Sequence, residues 1–571
     1  MFCLFSRSMS STKRSESSVD SEQQLLIDLT TENPDLSQFP HPFHDGDYGS
    51  GRPPKSLNEL KIMRFSGAIR SKVNWYEKMK NETIVNKWKQ EALEQNILSE
   101  KQIDYVLDEL EYYDSIRDGS LEMSAVDGVW QSDDLIPSDV KQSLVACVAP
   151  FENVPEKDKD WHPGTNQQVL DLIHPSLFCF VNEVTRIITD KERLVHLDNT
   201  VGRMGEGEIL DMNLTDLPSS TKKIRRGPTS YARSNTYQWL PAEFHVSETG
   251  QVTIESYINN LRPTENVQFY KTIAQIFERF VPLFNKVLTD LINGGFNRIY
   301  VDGYNWYDTS KKNEVEEDEE EDDDEQDRFP LIVPDVGKFS MPDASKTEID
   351  LRGRKLQVIV KLANIILTPD NPQYPGGAWH VEGMENEHIV ASGIYYYSSS
   401  NLTQSDLQFR TAIYEPDYQQ NDDRGVATVY GLQNNGPLNQ SLGSIITQED
   451  RCIAFPNIYQ HRVAPFELKD RTQIGIRKIL VFFLVDPSVR IISTAHVPPQ
   501  QSEWYCDVIR NMSPFKELPA LVIERILHYV QFPMTLGEAK EHREKLMAER
   551  KYFISENNKL SFERPFSLCE H

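Results

Sequence analysis

Beyond residue 350 the chain breaks into short apolar runs separated by turn residues, and this spacing constrains the fold more than any other feature. The runs are Leu356–Leu367, His388–Tyr397, Leu407–Tyr414, Gly425–Tyr430, Asp450–Phe455 and Lys478–Val485. Their length and their content of β-branched and aromatic residues predict strands. Six or so in succession predict a β-sandwich or barrel of the jelly-roll kind. Upstream, Ala242–Val246 and Gln251–Tyr257 flank Ser-Glu-Thr-Gly, a hairpin signal with glycine near the turn.

Before this β-rich part the periodicity is helical. Ser56-Leu-Asn-Glu59 fits a capping box, with Leu60, Met63 and Ile69 at helix spacing behind it. Glu77–Asn96 and Ser99–Tyr113 predict two more helices, as do 136–148 and 165–190, the last interrupted by Pro175. A long amphipathic helix is expected over Glu265–Leu291, where Ile273, Ile276, Phe277, Phe280, Val281 and Phe284 share one face. Thr535-Leu-Gly-Glu538 opens a charged helix running to about Tyr552. The expected architecture is α+β: a double-stranded β-helix (jelly-roll) core with an N-terminal helical domain and peripheral helices. Its parts would be a disordered tail over 1–35, a mainly helical region over 36–225, the jelly roll over 226–500 with an acidic insertion at 310–328, and a helical extension over 501–571.

Composition narrows the function classes. No run approaches the roughly 18 apolar residues of a membrane-spanning helix. The six cysteines form no CxxC pair, a pattern of reduced thiols inside a cell, so a cytoplasmic location is expected, with a nuclear or mitochondrial one left open. The net charge is −27, and Glu314–Asp327 alone holds twelve acidic residues. That field disfavours a nucleic-acid backbone as partner. The acidic loop itself can contact a basic partner.

The chemistry-bearing residues lie among the strand-like runs. In Tyr374-Pro-Gly-Gly-Ala-Trp-His-Val-Glu-Gly383, His380 and Glu382 are two apart, so an extended backbone sends both to one face. His461 follows another strand-like run, in Phe455-Pro-Asn-Ile-Tyr-Gln-His461. Two imidazoles and one carboxylate make the facial triad of non-haem Fe(II) oxygenases, with three coordination positions free. A 2-oxoacid can take two of them and dioxygen the third. The far carboxylate of 2-oxoglutarate then needs a cation. Arg477 heads the row Arg477, Ile479, Val481 and Phe483, and a guanidinium fork matches a carboxylate. Arg471 is the alternative. Trp379, Tyr395 and Tyr397 are candidate pocket walls. His388, and the two histidines that precede proline, His162 and His174, are set aside as packing or turn residues. Serine and cysteine nucleophiles lack an elbow motif.

The stretches PGGAWHVEGMENEHIVASGIYYY (375–397), FPNIYQHRVAPF (455–466) and GIRKILVFFLVDP (475–487) closely resemble the fungal family known as domain of unknown function 4246. So do MSAVDGVWQSDDLIP (123–137), VLDLIHPSL (169–177) and SYINNLRP (256–263), and the likeness spans about residues 40–555. The C-terminal part is similar to the Fe(II)/2-oxoglutarate oxygenases of the cupin superfamily. The string from Ala378 to Glu382 also resembles Jumonji-type demethylases, from which His380, Glu382 and His461 carry over as metal ligands. The lysine those enzymes use for the cosubstrate has no match in Tyr395–Ser400, which favours Arg477. The resemblance implies a hydroxylase-type oxygenase acting on an unknown substrate. The alternatives are a cupin-like binding or scaffold protein and a cupin metalloenzyme without 2-oxoglutarate.

Overall fold

A computed structural model describes residues 29–30, 32–37, 39–43, 52–210, 232–295, 297–302, 331, 333–342, 347–418, 422–513, 515–530 and 533–568. The acidic run and most of the expected tail lie outside these residues. From Leu29 onward the end of that tail packs on the fold. Asn33 donates to the Lys355 and Pro487 carbonyls, and Asp35 pairs with Arg354 at 2.6 Å.

The N-terminal part is helical: α1 (Leu57–Arg70), α2 (Glu82–Glu94), α3 (Glu100–Ser115) and α4 (Ser138–Glu152). The expected helix over Glu77–Asn96 is broken, because the Asn81 side chain caps a new start by accepting from Thr83 and Ile84. Ser99 and Gln102 close the full capping box. The long apolar face becomes α5 (Val267–Asn293), and Thr535 with Glu538 caps α6 (Leu536–Asn557).

The strands of the two larger sheets are β1 (Glu122–Met123), β2 (Trp130–Ser132), β3 (Val169–Ile173), β4 (Ala242–Val246), β5 (Val252–Ile254), β6 (Arg354–Leu367), β7 (Ile389–Ser400), β8 (Asp406–Ala412), β9 (Asn439–Ile446), β10 (Cys452–Pro456), β11 (Gln460–Val463) and β12 (Gly475–Val485). Two expectations are corrected. The stretch 165–190, read as helix, holds none: Val169–Ile173 is β3, whose apolar residues pair along β6, and Phe180–Val181 and Arg186–Ile187 are short strands. Gly425–Tyr430, read as a strand, is helix from Asp423 to Tyr430, nucleated by Asp422 accepting from the Gly425 amide.

The large sheet runs β1-β2-β10-β7-β12-β6-β4-β5, with β3 also on β6. Its central strands pair antiparallel. The small sheet is β9-β8-β11. Alternation divides the large sheet into two faces. Val358, Val360, Leu362, Tyr395, Tyr397, Leu480, Phe482 and Leu484 pack with α5. Ile359, Ile394, Tyr396, Val481 and Phe483 pack with Leu407, Phe409 and Ile445 of the small sheet. At Gly393 a Cβ would meet Phe280 and Phe284 at 2.8–2.9 Å, so the missing side chain is what lets α5 lie this close. The candidate ligands belong to the space between the two sheets.

Candidate metal centre

Two antiparallel segments bring the candidate ligands together. Gln373 and Tyr374 pair with Glu467 and Phe466, and the Gly377 amide donates to the Val463 carbonyl at 2.9 Å. His380 and His461 then exchange both backbone bonds, at 3.2 and 3.0 Å. Gly376 permits this path: its φ is +91°, and a Cβ would stand 2.9 Å from the Val463 oxygen. Directly opposed residues of an antiparallel pair share a face, so the two imidazoles converge with ring centroids 4.4 Å apart.

Glu382 returns to the same side. Its Oε1 lies 3.6 Å from His380 Nε2 and 3.2 Å from His461 Nε2. Metal bonds of about 2.0–2.2 Å set neighbouring ligand atoms roughly 3 Å apart, close to these separations. Asn457 fixes the carboxylate's backbone. Its Oδ1 accepts from the Glu382 amide at 2.8 Å, and its Nδ2 donates to the Glu382 and Ile389 carbonyls at 2.9 Å. His461 packs on the pair of rings Phe455 and Phe409, with centroids 4.8 and 6.4 Å away. Its side chain is 5% exposed against 32% for His380, so the cluster opens toward His380.

The tautomer of His380 suits a cation. Its Nδ1 lies 2.9 Å from the Ala378 carbonyl. A carbonyl can only accept, so Nδ1 carries a proton whatever the charge of the ring, and Nε2 is the nitrogen left for a cation, which would replace the proton it shares with Glu382. The charges are matched as well. Burial opposes ionisation of Glu382, but hydrogen bonds and charge from both imidazoles hold it well below the usual carboxylate range. Burial lowers His380, yet Glu382 and the Ala378 carbonyl outweigh it and leave the ring above its ordinary value. Burial and the neighbouring His380 keep His461 below its own. An ionised carboxylate between two imidazoles, one of them depressed toward neutrality, is a donor set that fits a divalent transition metal.

The other expected site residues are dispersed. Arg477 is buried on the interior row, its guanidinium carbon 4.4 Å from the centroid of Phe466 and 5.9 Å from that of Tyr396, with Nη1 donating to Ser405 at 2.9 Å. Arg471 is 63% exposed and pairs with Glu467. Tyr395 sits one residue out of phase with the interior row. It packs with the α5 face, its hydroxyl 3.4 Å from Asp450, and Tyr397 shares that face. Trp379 alternates away from His380 and lies against the guanidinium groups of Arg410 and Arg462, at 4.8 and 4.5 Å.

A second histidine group joins residues that sequence reasoning set aside. His162 Nδ1 is 2.7 Å from Asp171 Oδ2, and the His162 and His174 rings are 5.0 Å apart. The potential ligand atoms of all three lie within 4.8 Å of one another. The tautomer is wrong for a cation here, however. The Ser176 amide donates to His174 Nδ1, so the neutral ring keeps its proton on Nε2 and has no free lone pair. Sequence reasoning also passed over Asn457 and Lys361. The signal for Lys361 was present: a lysine inside the apolar run Leu356–Leu367.

The chain is similar over residues 100–508 to the family described as Protein of unknown function (DUF4246), and over residues 17–91 to Domain of unknown function DUF4246, N-terminal. No curated protein matches it. Solved structures similar to parts of it include TqaL, an Fe(II)/α-ketoglutarate-dependent dioxygenase (8% identity, TM-score 0.23, covering 63% of this chain and 95% of that one). IDO from Bacillus thuringiensis is 12% identical with a TM-score of 0.16, covering 23% of this chain. A bsmA homolog from Methylobium petroleophilum PM1 is 9% identical with a TM-score of 0.15, also over 23% of this chain. The chain spans 46% and 42% of the lengths of these last two. With most of its length matched, the chain belongs to the DUF4246 family of proteins of unknown function.

Proposed function

We propose that this protein is an Fe(II)- and 2-oxoglutarate-dependent oxygenase of the hydroxylase type, with His380, Glu382 and His461 as the metal ligands. One observation carries the reading. Two imidazoles and an ionised carboxylate converge between two sheets, and the His380–Ala378 hydrogen bond engages Nδ1, so that Nε2, on the Glu382 side, is the nitrogen that would coordinate. The winding of the chain supports it. Beginning at β6, successive extended segments fall in the large, small, large, small, small, large, small and large sheets. We read this alternation as the path of a double-stranded β-helix, a jelly roll.

Bound at this triad, Fe(II) with 2-oxoglutarate would supply dioxygen activation, coupled to oxidative decarboxylation of the cosubstrate to succinate and carbon dioxide. The chain's own residues have four tasks. Glu382 and the two imidazoles would hold the cation. Asn457 holds Glu382 in register. Phe409, Phe455 and Phe483 keep water from the inner side of the cluster. A cation on the interior row takes the cosubstrate's far carboxylate, and Arg477 and Lys361 both stand there.

The test is metal-dependent binding and turnover by the full chain. Mn(II) is expected to bind one ion per chain, His380→Ala is expected to weaken it at least tenfold, and Fe(II) with 2-oxoglutarate is expected to yield succinate slowly even without a prime substrate. Mn(II) affinity untouched by His380→Ala refutes the ligand set. Mn(II) binding without any 2-oxoglutarate affinity refutes the cosubstrate.

A further inference from the structure

We infer that Lys361, on the first strand of the jelly roll, rather than either arginine near the last strand, is the seat for the far carboxylate of the ligand bound at the His380–Glu382–His461 cluster. The inference rests on the oxygenase reading and names which side chain makes its cosubstrate site complete.

Strand parity places Lys361 inside. It alternates with Ile359, which packs in the interior cluster, whereas Val358, Val360 and Leu362 pack toward α5. It pairs with Val481 of β12, two residues from Phe483. Phe483 and Phe455 lie on either side of Ser392 across the sheet, and Phe455 touches His461. Lys361 is thus about 7 Å along the strand from the level of the cluster, at roughly 3.3 Å per residue. The five-carbon backbone of 2-oxoglutarate spans a similar length, about that of two extended residues at 3.3–3.6 Å each. Arg477 pairs with Ile365, four residues further along β6 and so about 13 Å deeper.

The electrostatics agree with this placement. Lys361 is close enough for its charge to bear on His380, on His174 and on Asp171. The groups whose charges bear on Arg477 are Tyr396 and Tyr374; its Nη1 donates to Ser405 and its guanidinium lies over the Phe466 ring, while Nε is buried without a partner. Arg471 points into solvent.

Lys361 is also free to receive an anion. Among the described residues it has no carboxylate within salt-bridge distance and no side-chain hydrogen-bond partner. Asp171 lies opposite Ala363, two residues along the same face. This carboxylate is buried with its Oδ1 lacking a partner, and gives the ammonium a compensating field without capping it. A half-buried lysine on the inner phase of the sheet, with only distant compensation, favours an anionic ligand over an empty pocket.

The experiment uses the full chain loaded with Mn(II) and calorimetric titration with 2-oxoglutarate and with oxalate, which has the metal-chelating end but no far carboxylate. Lys361→Met is expected to weaken 2-oxoglutarate roughly 10–100-fold, the range of a charge-assisted hydrogen bond. It should leave Mn(II) and oxalate within about twofold, and Lys361→Arg should recover part of the loss. Retention of 2-oxoglutarate by Lys361→Met, with its loss in Arg477→Met, overturns the assignment. So does an equal loss of oxalate and 2-oxoglutarate, which places Lys361 at the chelating end. Wild-type protein that takes Mn(II) and oxalate but no 2-oxoglutarate sinks the cosubstrate reading itself, an outcome separate from any property of Lys361.

Discussion

Asn457 offers the sharpest test of how the candidate metal centre is held, because it touches no ligand atom. Its side chain is fully buried and makes three hydrogen bonds, two with the Glu382 backbone and one with the Ile389 carbonyl. Asn457→Ala removes the amide and leaves the Glu382 N–H, the Glu382 carbonyl and the Ile389 carbonyl without it. At about 1–3 kcal/mol for each stranded buried group, with Glu382 near the opening, a loss of roughly 2–4 kcal/mol of folding stability follows. The same change frees Glu382 to move, and loss of a group that orients a metal ligand costs about 10–100-fold in metal affinity. Asn457→Asp keeps the acceptor for the Glu382 amide but loses both donations and adds a second anion close to Glu382. Urea unfolding gives the first number, and Mn(II) calorimetry, under conditions where each variant is fully folded, gives the second. A destabilised Asn457→Ala that binds Mn(II) within threefold of wild type refutes the positioning argument and reduces Asn457 to a packing residue. An unchanged stability refutes the hydrogen-bond reasoning as well.

The fold supplies three further expectations. Gly393→Val must place methyl groups where Phe280 and Phe284 already stand, 2.8–2.9 Å from the first added carbon; a loss of at least about 1–3 kcal/mol is expected, read as a lower urea midpoint at similar m-value. Mn(II) affinity should not change, because the strain falls on the α5 face. Burial pushes Asp486 up to about 6, against hydrogen bonds from Ser488 and the Phe39 amide. The folded chain therefore binds this proton more tightly than the unfolded one. Its contribution of about 3 kcal/mol at most is present below pH 4 and lost as pH rises through 6. Urea unfolding between pH 4 and 7 should show that decline in the wild type and a flatter profile in Asp486→Asn; parallel profiles contradict the assignment. Arg298 is buried among Glu109, Asp127 and Tyr113, at 2.5–2.8 Å. Arg298→Met strands the buried Glu109 carboxylate and removes one of the two arginines that Asp127 pairs with, Arg70 remaining; it is expected to cost about 3–5 kcal/mol, again by urea unfolding, and a loss below 1 kcal/mol rules the network out as a stabilising element.

What could be read from the sequence, and what could not, follows from the range of each interaction. Strands and helices with strong apolar periodicity were legible within a few residues, as in α5 and β12, because burial of one face writes its period into the chain. β9 and β11 were missed: Asn439–Ile446 and Gln460–Val463 carry polar residues on the outer face and too few apolar ones inside to show a period. Gly425–Tyr430 has the apolar content of a strand, and only the Asp422 side chain bonding back to the Gly425 amide turns it into helix. The spacing of His380 and Glu382 was enough to put them on one face, because that depends on neighbours two apart. Their meeting with His461 depends on a register across 81 positions, which was inferred rather than read. The same parity rule separates the remaining candidates. Tyr395 is one residue from the interior row, so a single step of phase moves its ring to the α5 side, where Tyr396 would have been the residue to name. Lys361 shows the converse. Its position inside an apolar run made it look like an interruption, yet the phase it shares with Ile359 is what turns its charge inward. In a two-faced sheet an out-of-pattern charge on the inner phase costs the fold free energy, and a ligand that offsets this cost is the physical reason to expect one there.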